Sequence, residues 1–172
     1  MRLRLPWIGL GLLGACLAAW VIGSYQGLIA RYAVIVAFMH IVGATGGDAG
    51  RQTLTVVTAS MATGELDLWR PWKVVGRQSL LGLLHGVASG LVLLVIALVV
   101  EQDVRLAATV CLAQIANQTV ASLVASSLPL LLRRLGQDPT LGTPTVVIAL
   151  ADIVGFATFL GLASLLLPSA VG

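Results

Sequence analysis

Five long apolar runs alternate with short polar stretches along this chain. The runs predict helices at about residues 6–25, 32–63, 77–100, 106–132 and 143–167. Each run reaches the roughly 20 apolar residues that a helix needs to cross a bilayer. The pattern therefore predicts an all-α polytopic membrane protein with five transmembrane helices, in which residues 26–31 form a short connection.

The second run is interrupted at residues 46–52, where the sequence reads GGDAGRQ. Its three glycines are poor helix formers, and Asp48, Arg51 and Gln52 are polar. Broken helices at membrane depth persist where the freed backbone groups face a cavity, and transporters use them to coordinate ions and substrates. The interruption predicts a broken second helix. A short loop between two membrane segments is the alternative, but the apolar run resumes at Leu54 without room for a turnaround.

Composition supports a membrane protein and opposes several other classes. The chain has 172 residues, of which 58% are apolar and 10% charged, whereas about 25% of a soluble domain is charged. We expect residues 1–172 to form a single transmembrane domain, with no soluble regulatory domain left over. The first run follows Arg2 and Arg4 like a signal sequence but continues past Cys16, so we predict a retained helix.

The side chains give no indication of enzyme or nucleic-acid chemistry. The net charge is +3, and the cationic residues are scattered without interleaved aromatics, so no nucleic-acid partner is predicted. Cys16 and Cys111 lie inside apolar runs and predict no disulfide framework. No nucleophile stands in a recognisable arrangement with a histidine and a carboxylate. We therefore predict a protein that is not an enzyme and has no organic cofactor.

The distribution of cationic residues predicts the topology. Five spans place alternate connections on opposite sides of the membrane. One side receives Arg2, Arg4, Arg70, Lys73, Arg77, Arg133 and Arg134, and the other receives Arg31 and Arg105. Cytoplasmic loops carry the excess of lysine and arginine. The N-terminus is thus expected in the cytoplasm and the C-terminus outside, in a cell membrane (inner or plasma membrane).

Two predicted helices carry regularly spaced small residues. The third has glycines at positions 82, 86 and 90, a spacing that lets another helix approach closely. The fourth has Ala113, Asn117, Ala121 and Ala125 at four-residue intervals. We interpret the glycines as ordinary helix contacts.

Asp152 is the exceptional residue of the fifth helix. Apolar residues flank it on both sides, and no lysine or arginine lies within two helical turns in sequence. A carboxylate near the bilayer centre costs roughly 2.5–3.5 kcal/mol on insertion scales. A proton, a cation or an arginine from another helix must therefore neutralise it, and we predict a functional role.

Two segments resemble the MgtE family of magnesium channels. Residues 46–57, GGDAGRQTLTVV, are similar to the family's GGNAGxQxLTVV motif. Residues 138–144, DPTLGTP, and 151–163, ADIVGFATFLGLA, resemble its DPALxxGP and TDxxGFxxFLGLA motifs. The polar fourth helix, with Gln114, Asn117 and Gln118, is similar to the asparagine-containing fourth helix of the family.

The resemblance implies a homodimer in a lipid bilayer that transports a divalent cation, with Mg²⁺ as the transported ion. It matches Asp152 to the aspartate that binds the ion at the dimer axis. Asp48, Asn117, Gln52 and His40 complete the set of expected metal-site residues. The chain departs from the family at Asp48, where asparagine is usual, and at His40, where proline is usual.

Two other functions remain open from the sequence. His40 adds an imidazole and Asp48 a second carboxylate, which would suit a softer metal such as manganese, cobalt or zinc. A lone histidine in a helix bundle is, however, more often hydrogen-bonded to a neighbour. Asp48 and Arg51 could also neutralise one another across one turn, as expected of a non-conducting membrane subunit.

Overall fold

The computed structural model describes residues 5–64, 71–138 and 143–167. These residues form the helices α1 (Leu5–Ser24), α2 (Gln26–Arg31), α3 (Val34–Ala62), α4 (Pro71–Glu101), α5 (Val104–Arg134) and α6 (Thr143–Leu166). The all-α prediction is confirmed. Arg2, Arg4 and Arg70, which carry part of the predicted charge bias, lie outside the described residues, as do positions 139–142 of the second motif.

The bounds of the long helices agree with the apolar runs, with two differences. The predicted connection at 26–31 is itself the short helix α2. Helix α4 begins at Pro71 rather than near residue 77, in keeping with the preference of proline for the first turn, where its missing N–H costs little. Asp103 caps α5 by accepting hydrogen bonds from the amides of Arg105 and Leu106, at 2.8 and 3.3 Å.

The predicted break in the second long helix is wrong, because α3 continues without interruption from Val34 to Ala62. Three of its four glycines lie where other helices approach closely. A Cβ added at Gly43 would lie 2.7 Å from a ring carbon of Phe156, and one at Gly50 would lie 2.6 Å from Val147. A Cβ at Gly46 would overlap the side chain of Asn117. These glycines allow α5 and α6 to pack against α3.

Four helices, α1, α4, α5 and α6, are long and apolar enough to cross a membrane. Helix α3 has 29 residues, which is longer than α1 and α6. It falls outside that group of four candidate spans, and it carries Asp48, Arg51 and Gln52 in its middle.

Helix α5 lies at the centre of the bundle and packs against α3, α4 and α6, while α1 packs on α6. The glycines of α4 face α5: a Cβ at Gly86 would lie 2.9 Å from the Cα of Ile115, and one at Gly90 would lie 3.0 Å from the carbonyl oxygen of Cys111. The interpretation of these glycines as helix contacts is confirmed.

The small residues of α5 line the centre of the bundle. Ala113, Asn117, Ala121 and Ala125 are all buried. Larger side chains fill the bundle toward the start of α3, the start of α5 and the end of α6. Among them Ile35, Val42, Val110, Phe159 and Leu160 are fully buried. This core fixes the relative positions of α3 and α6. Asp152 of α6 lines the cavity between these two helices.

Candidate functional site

A cavity of about 400 Å³ lies between α3 and α6. Its lining combines the ionisable side chains of both helices with glycines and a few apolar groups. The lining residues are His40, Gly43, Ala44, Gly47, Asp48, Arg51, Ile148, Asp152 and Phe156. The structure therefore brings together three of the predicted site residues: Asp152, Asp48 and His40.

Asp152 lies on the wall that α6 contributes to this cavity. It is the tenth residue of α6, about 14 Å along the axis from the start of the helix at 1.5 Å per residue, and so near its middle. The side chain is partly buried and forms no hydrogen bond or ion pair with any residue that the structure describes. His40 of α3 lines the same cavity. Asp152 is thus a carboxylate at mid-helix without a hydrogen bond or ion pair within the described part of the chain.

Asp48 and Arg51 form an ion pair across one turn of α3. Both side chains are 56% exposed, so the pair lies at the open side of the cavity. The pairing that the sequence left open for these two residues is therefore present in the structure. The pair keeps the Asp48 carboxylate beside the cavity.

Gln52 lies in a different place from Asp152. It lines a second cavity, of about 540 Å³, between α3 and α4. Arg77, Gln78 and His85 from α4 and Ser122 from α5 also line this cavity. The second cavity therefore carries a cationic guanidinium, and no carboxylate is among its described lining residues. The expected grouping of Gln52 with Asp152 is not seen in the described chain.

Asn117 lies behind the Asp152 cavity rather than in its wall. The side chain is fully buried, and its amide nitrogen donates to the carbonyl oxygen of Val42 at 2.8 Å. Its Oδ1 has no hydrogen-bond partner within the described residues. Cβ atoms at Gly46 of α3 and Gly155 of α6 would both collide with this side chain. Asn117 thus fills the junction where α3, α5 and α6 meet.

A hydrogen-bond network that the sequence did not reveal joins α3, α4 and α5. The Gln114 amide nitrogen lies 3.0 Å from the hydroxyl of Thr45 and 3.0 Å from that of Ser89. The Gln118 amide also donates to Ser89, at 3.2 Å. The two glutamines one turn apart on α5 were a visible signal, but nothing in the sequence indicated their partners on other helices.

The ligand set of the Asp152 cavity is sparse. Within residues 5–64, 71–138 and 143–167, no three histidine, cysteine or acidic side chains converge closely enough to hold a metal ion directly. Two carboxylates and one imidazole instead lie spread around the wall. Such an arrangement suits a cation that keeps part of its water shell, as Mg²⁺ does, because Mg²⁺ dehydrates reluctantly.

Comparison with known proteins places this geometry in context. Residues 39–162 match the sequence profile of the MgtE family, which is described as a divalent cation transporter. The chain is 30% identical over 167 residues to the magnesium transporter MgtE of Thermus thermophilus, and 26% identical over 162 residues to that of Enterococcus faecalis. These alignments cover 96% and 94% of this chain but 37% and 36% of the relatives. The chain therefore spans little more than a third of their length.

Proposed function

This chain belongs to the MgtE family, and on that premise we propose that it transports a divalent cation, Mg²⁺ first, across a membrane as a homodimer. The observation that carries the proposal is the cavity between α3 and α6, into which Asp152, Asp48 and His40 all face as lining residues. Magnesium transporters of the same family are similar to this chain over nearly its whole length.

Asp152 is the proposed anchor of the ion. An ionised carboxylate at mid-membrane is costly unless something neutralises it, and no described residue forms an ion pair with it. A divalent cation with part of its water shell would supply that neutralisation. The Mg²⁺ ion is then held weakly enough to leave, because few protein oxygens replace its water.

The open side of the cavity supports the homodimer. Ala44 and His40 are exposed in a single chain, and so are Asp48 and Arg51. Facing lipid, this polar surface would be unfavourable. A second copy that presents the same face about a twofold axis would cover it and would place two Asp152 side chains on either side of one path.

Helix α3 is proposed as the fifth span. Its length is sufficient, and in the dimer its polar residues would face the path instead of lipid. Five spans put the termini on opposite sides. The excess of arginine and lysine then places the N-terminus in the cytoplasm and the C-terminus outside.

Transport of a softer metal is the second candidate, and one observation favours it. The imidazole of His40 lines the same cavity as Asp152. Nitrogen ligands suit manganese, cobalt and zinc better than magnesium. The choice between the two candidates depends on whether His40 reaches the ion.

Ion flux in liposomes tests the proposal. Purified protein should pass Mg²⁺, and the substitution Asp152→Asn should lower the flux at least tenfold, because it removes the charge while keeping the size of the side chain. Glu101→Gln is the matched control: it also removes one carboxylate, but from the exposed end of α4. Flux with Mn²⁺, Co²⁺ and Zn²⁺ in the same vesicles separates the two candidates.

Two results would reject the proposal. No flux of any of the four ions by protein that is folded and correctly inserted would indicate a non-conducting subunit. Full Mg²⁺ flux through the Asp152→Asn protein would show that Asp152 is not the anchor.

A further inference from the structure

A groove lies between the beginning of α4 and the end of α5, away from the Asp152 cavity. It consists of two adjoining cavities of about 280 and 190 Å³, which share Pro71, Leu130 and Arg134. Neither cavity includes a residue of α3 or α6. The proposed ion path does not use this groove.

The larger part of the groove is apolar. Val75 of α4 and Val124, Leu128 and Leu131 of α5 line it. Trp72 lies at its edge and is 76% exposed. Tryptophan is enriched where a membrane meets water, so the beginning of α4 is suited to the headgroup level of a bilayer. The apolar part would then extend toward the hydrocarbon.

The smaller part of the groove is cationic. Arg133 and Arg134 line it. Within the part of the chain that the structure describes, neither forms an ion pair. No acidic side chain appears among the described lining residues of either cavity. Lys73, one residue beyond Trp72, adds a third positive charge at the same end of α4. This end of the groove is complementary to an anion.

We propose that this groove binds one anionic phospholipid. The phosphate lies against Arg133 and Arg134, and one acyl chain occupies the apolar part beside Val75 and Leu128. Basic pockets between transmembrane helices recognise lipid headgroups in this way. The adjoining apolar part favours a lipid over a free phosphate ion, which would use only the cationic end.

Lipid binding to the purified full chain tests the proposal, with native mass spectrometry as the measurement. The protein, in detergent, is titrated with phosphatidylglycerol, with phosphatidylcholine of the same acyl chains, and with inorganic phosphate. We expect one phosphatidylglycerol per chain to bind in preference to phosphatidylcholine. Inorganic phosphate should not displace it.

Substitutions locate the site. Replacing both arginines, Arg133→Gln with Arg134→Gln, should weaken phosphatidylglycerol binding about 30-fold, since each arginine near an anionic lipid contributes about a fivefold gain in affinity. Replacing both with lysine should preserve most of the binding. Arg105→Gln is the matched control, because Arg105 is an exposed arginine at the opposite end of the same helix.

Several outcomes would overturn the inference. Equal binding of the two phospholipids by the wild-type protein would do so without any variant. So would displacement of the lipid by phosphate, or a loss in Arg105→Gln as large as that in the double variant. The proposal is independent of ion transport, so a protein that conducts no ion could still bind this lipid.

Discussion

The charges of Asp48 and Arg51 beside the cavity have two possible roles. Either they only neutralise one another, or Asp48 makes a separate contact with the ion. If the pair serves only neutrality, each single change, Asp48→Asn or Arg51→Gln, leaves one charge uncompensated at membrane depth, which costs roughly 2.5–3.5 kcal/mol on insertion scales. We expect either single variant to lower Mg²⁺ flux severalfold, and the double variant to recover to within about threefold of wild type.

Flux of the four proteins in one liposome preparation measures this coupling. Glu101→Gln serves again as a carboxylate control outside the cavity. Losses that simply add in the double variant would contradict the neutrality role and assign Asp48 a separate contact with the ion.

His40 offers a test of metal preference at a single position. Replacing it with asparagine keeps a polar group but removes the imidazole from the cavity. If His40 contacts the cation, Mn²⁺, Co²⁺ and Zn²⁺ flux should fall relative to Mg²⁺ flux, by about tenfold for the loss of one good ligand. His85→Asn is the control, since His85 lines the other cavity. An unchanged ratio of fluxes in His40→Asn would remove His40 from the path.

For individual residues, the sequence identified Asp152 as exceptional and predicted the location of Gln52 poorly. Asp152 stood out because its apolar neighbours offered no partner, and that reasoning needs no knowledge of the fold. Gln52 was expected in the same metal site as Asp48. The structure separates them because Gln52 lines the cavity between α3 and α4, whereas Asp48 lines the cavity between α3 and α6. The placement of a polar side chain depends on which helix is its neighbour, and local sequence does not contain that information.

Among the helices, α3 shows most clearly how the packing of glycines can differ from their helix propensity. Gly46 and Gly50 stand four residues apart, the same spacing that identified the glycines of α4 as packing contacts. The sequence was interpreted through the poor helix propensity of glycine, which predicted a break. Tertiary packing prevails over propensity here, since a helix that needs close neighbours gains more from small residues than it loses in backbone entropy.

Substitution by alanine should destabilise the protein at one of two neighbouring glycines of α3 and not at the other. Gly46→Ala would force its Cβ into Asn117 and should destabilise the protein by about 1–3 kcal/mol, as overpacking does. Gly47→Ala should cause no loss, because the nearest atom, a methyl carbon of Ile148, would be 4.0 Å from its Cβ. Thermal unfolding in detergent measures both.

A compensating change makes the test specific to this contact. Asn117→Ala removes the side chain that the new Cβ would meet, so it should reduce the cost of Gly46→Ala when the two are combined. Equal stability of the two glycine variants would contradict the close approach at Asn117.

For the molecule as a whole, the face formed by α3 and α6 is the surface that should join two copies. In a background with Cys16 and Cys111 replaced, a cysteine at Ala44, which is exposed beside the cavity, should form a cross-linked dimer under mild oxidation. A cysteine at Leu84 is the control, because this residue is 56% exposed on α4 and lines neither the Asp152 cavity nor its opening. Cross-linking through Leu84 alone would place the dimer interface elsewhere.

The packing of α1 also determines when the fold can be completed. Of the six helices, α1 is synthesised before the others, yet its main packing partner within the described residues is α6, the last of the six in sequence. The two meet through small residues: a Cβ at Gly11 would lie 2.9 Å from Thr145, and one at Gly14 would lie 2.5 Å from Ala149. Helix α1 must therefore wait in the lipid as a separate span while the other helices are inserted. Truncation before α6 would leave α1 without the helix against which it packs. A quality-control protease should recognise such a chain as incompletely folded.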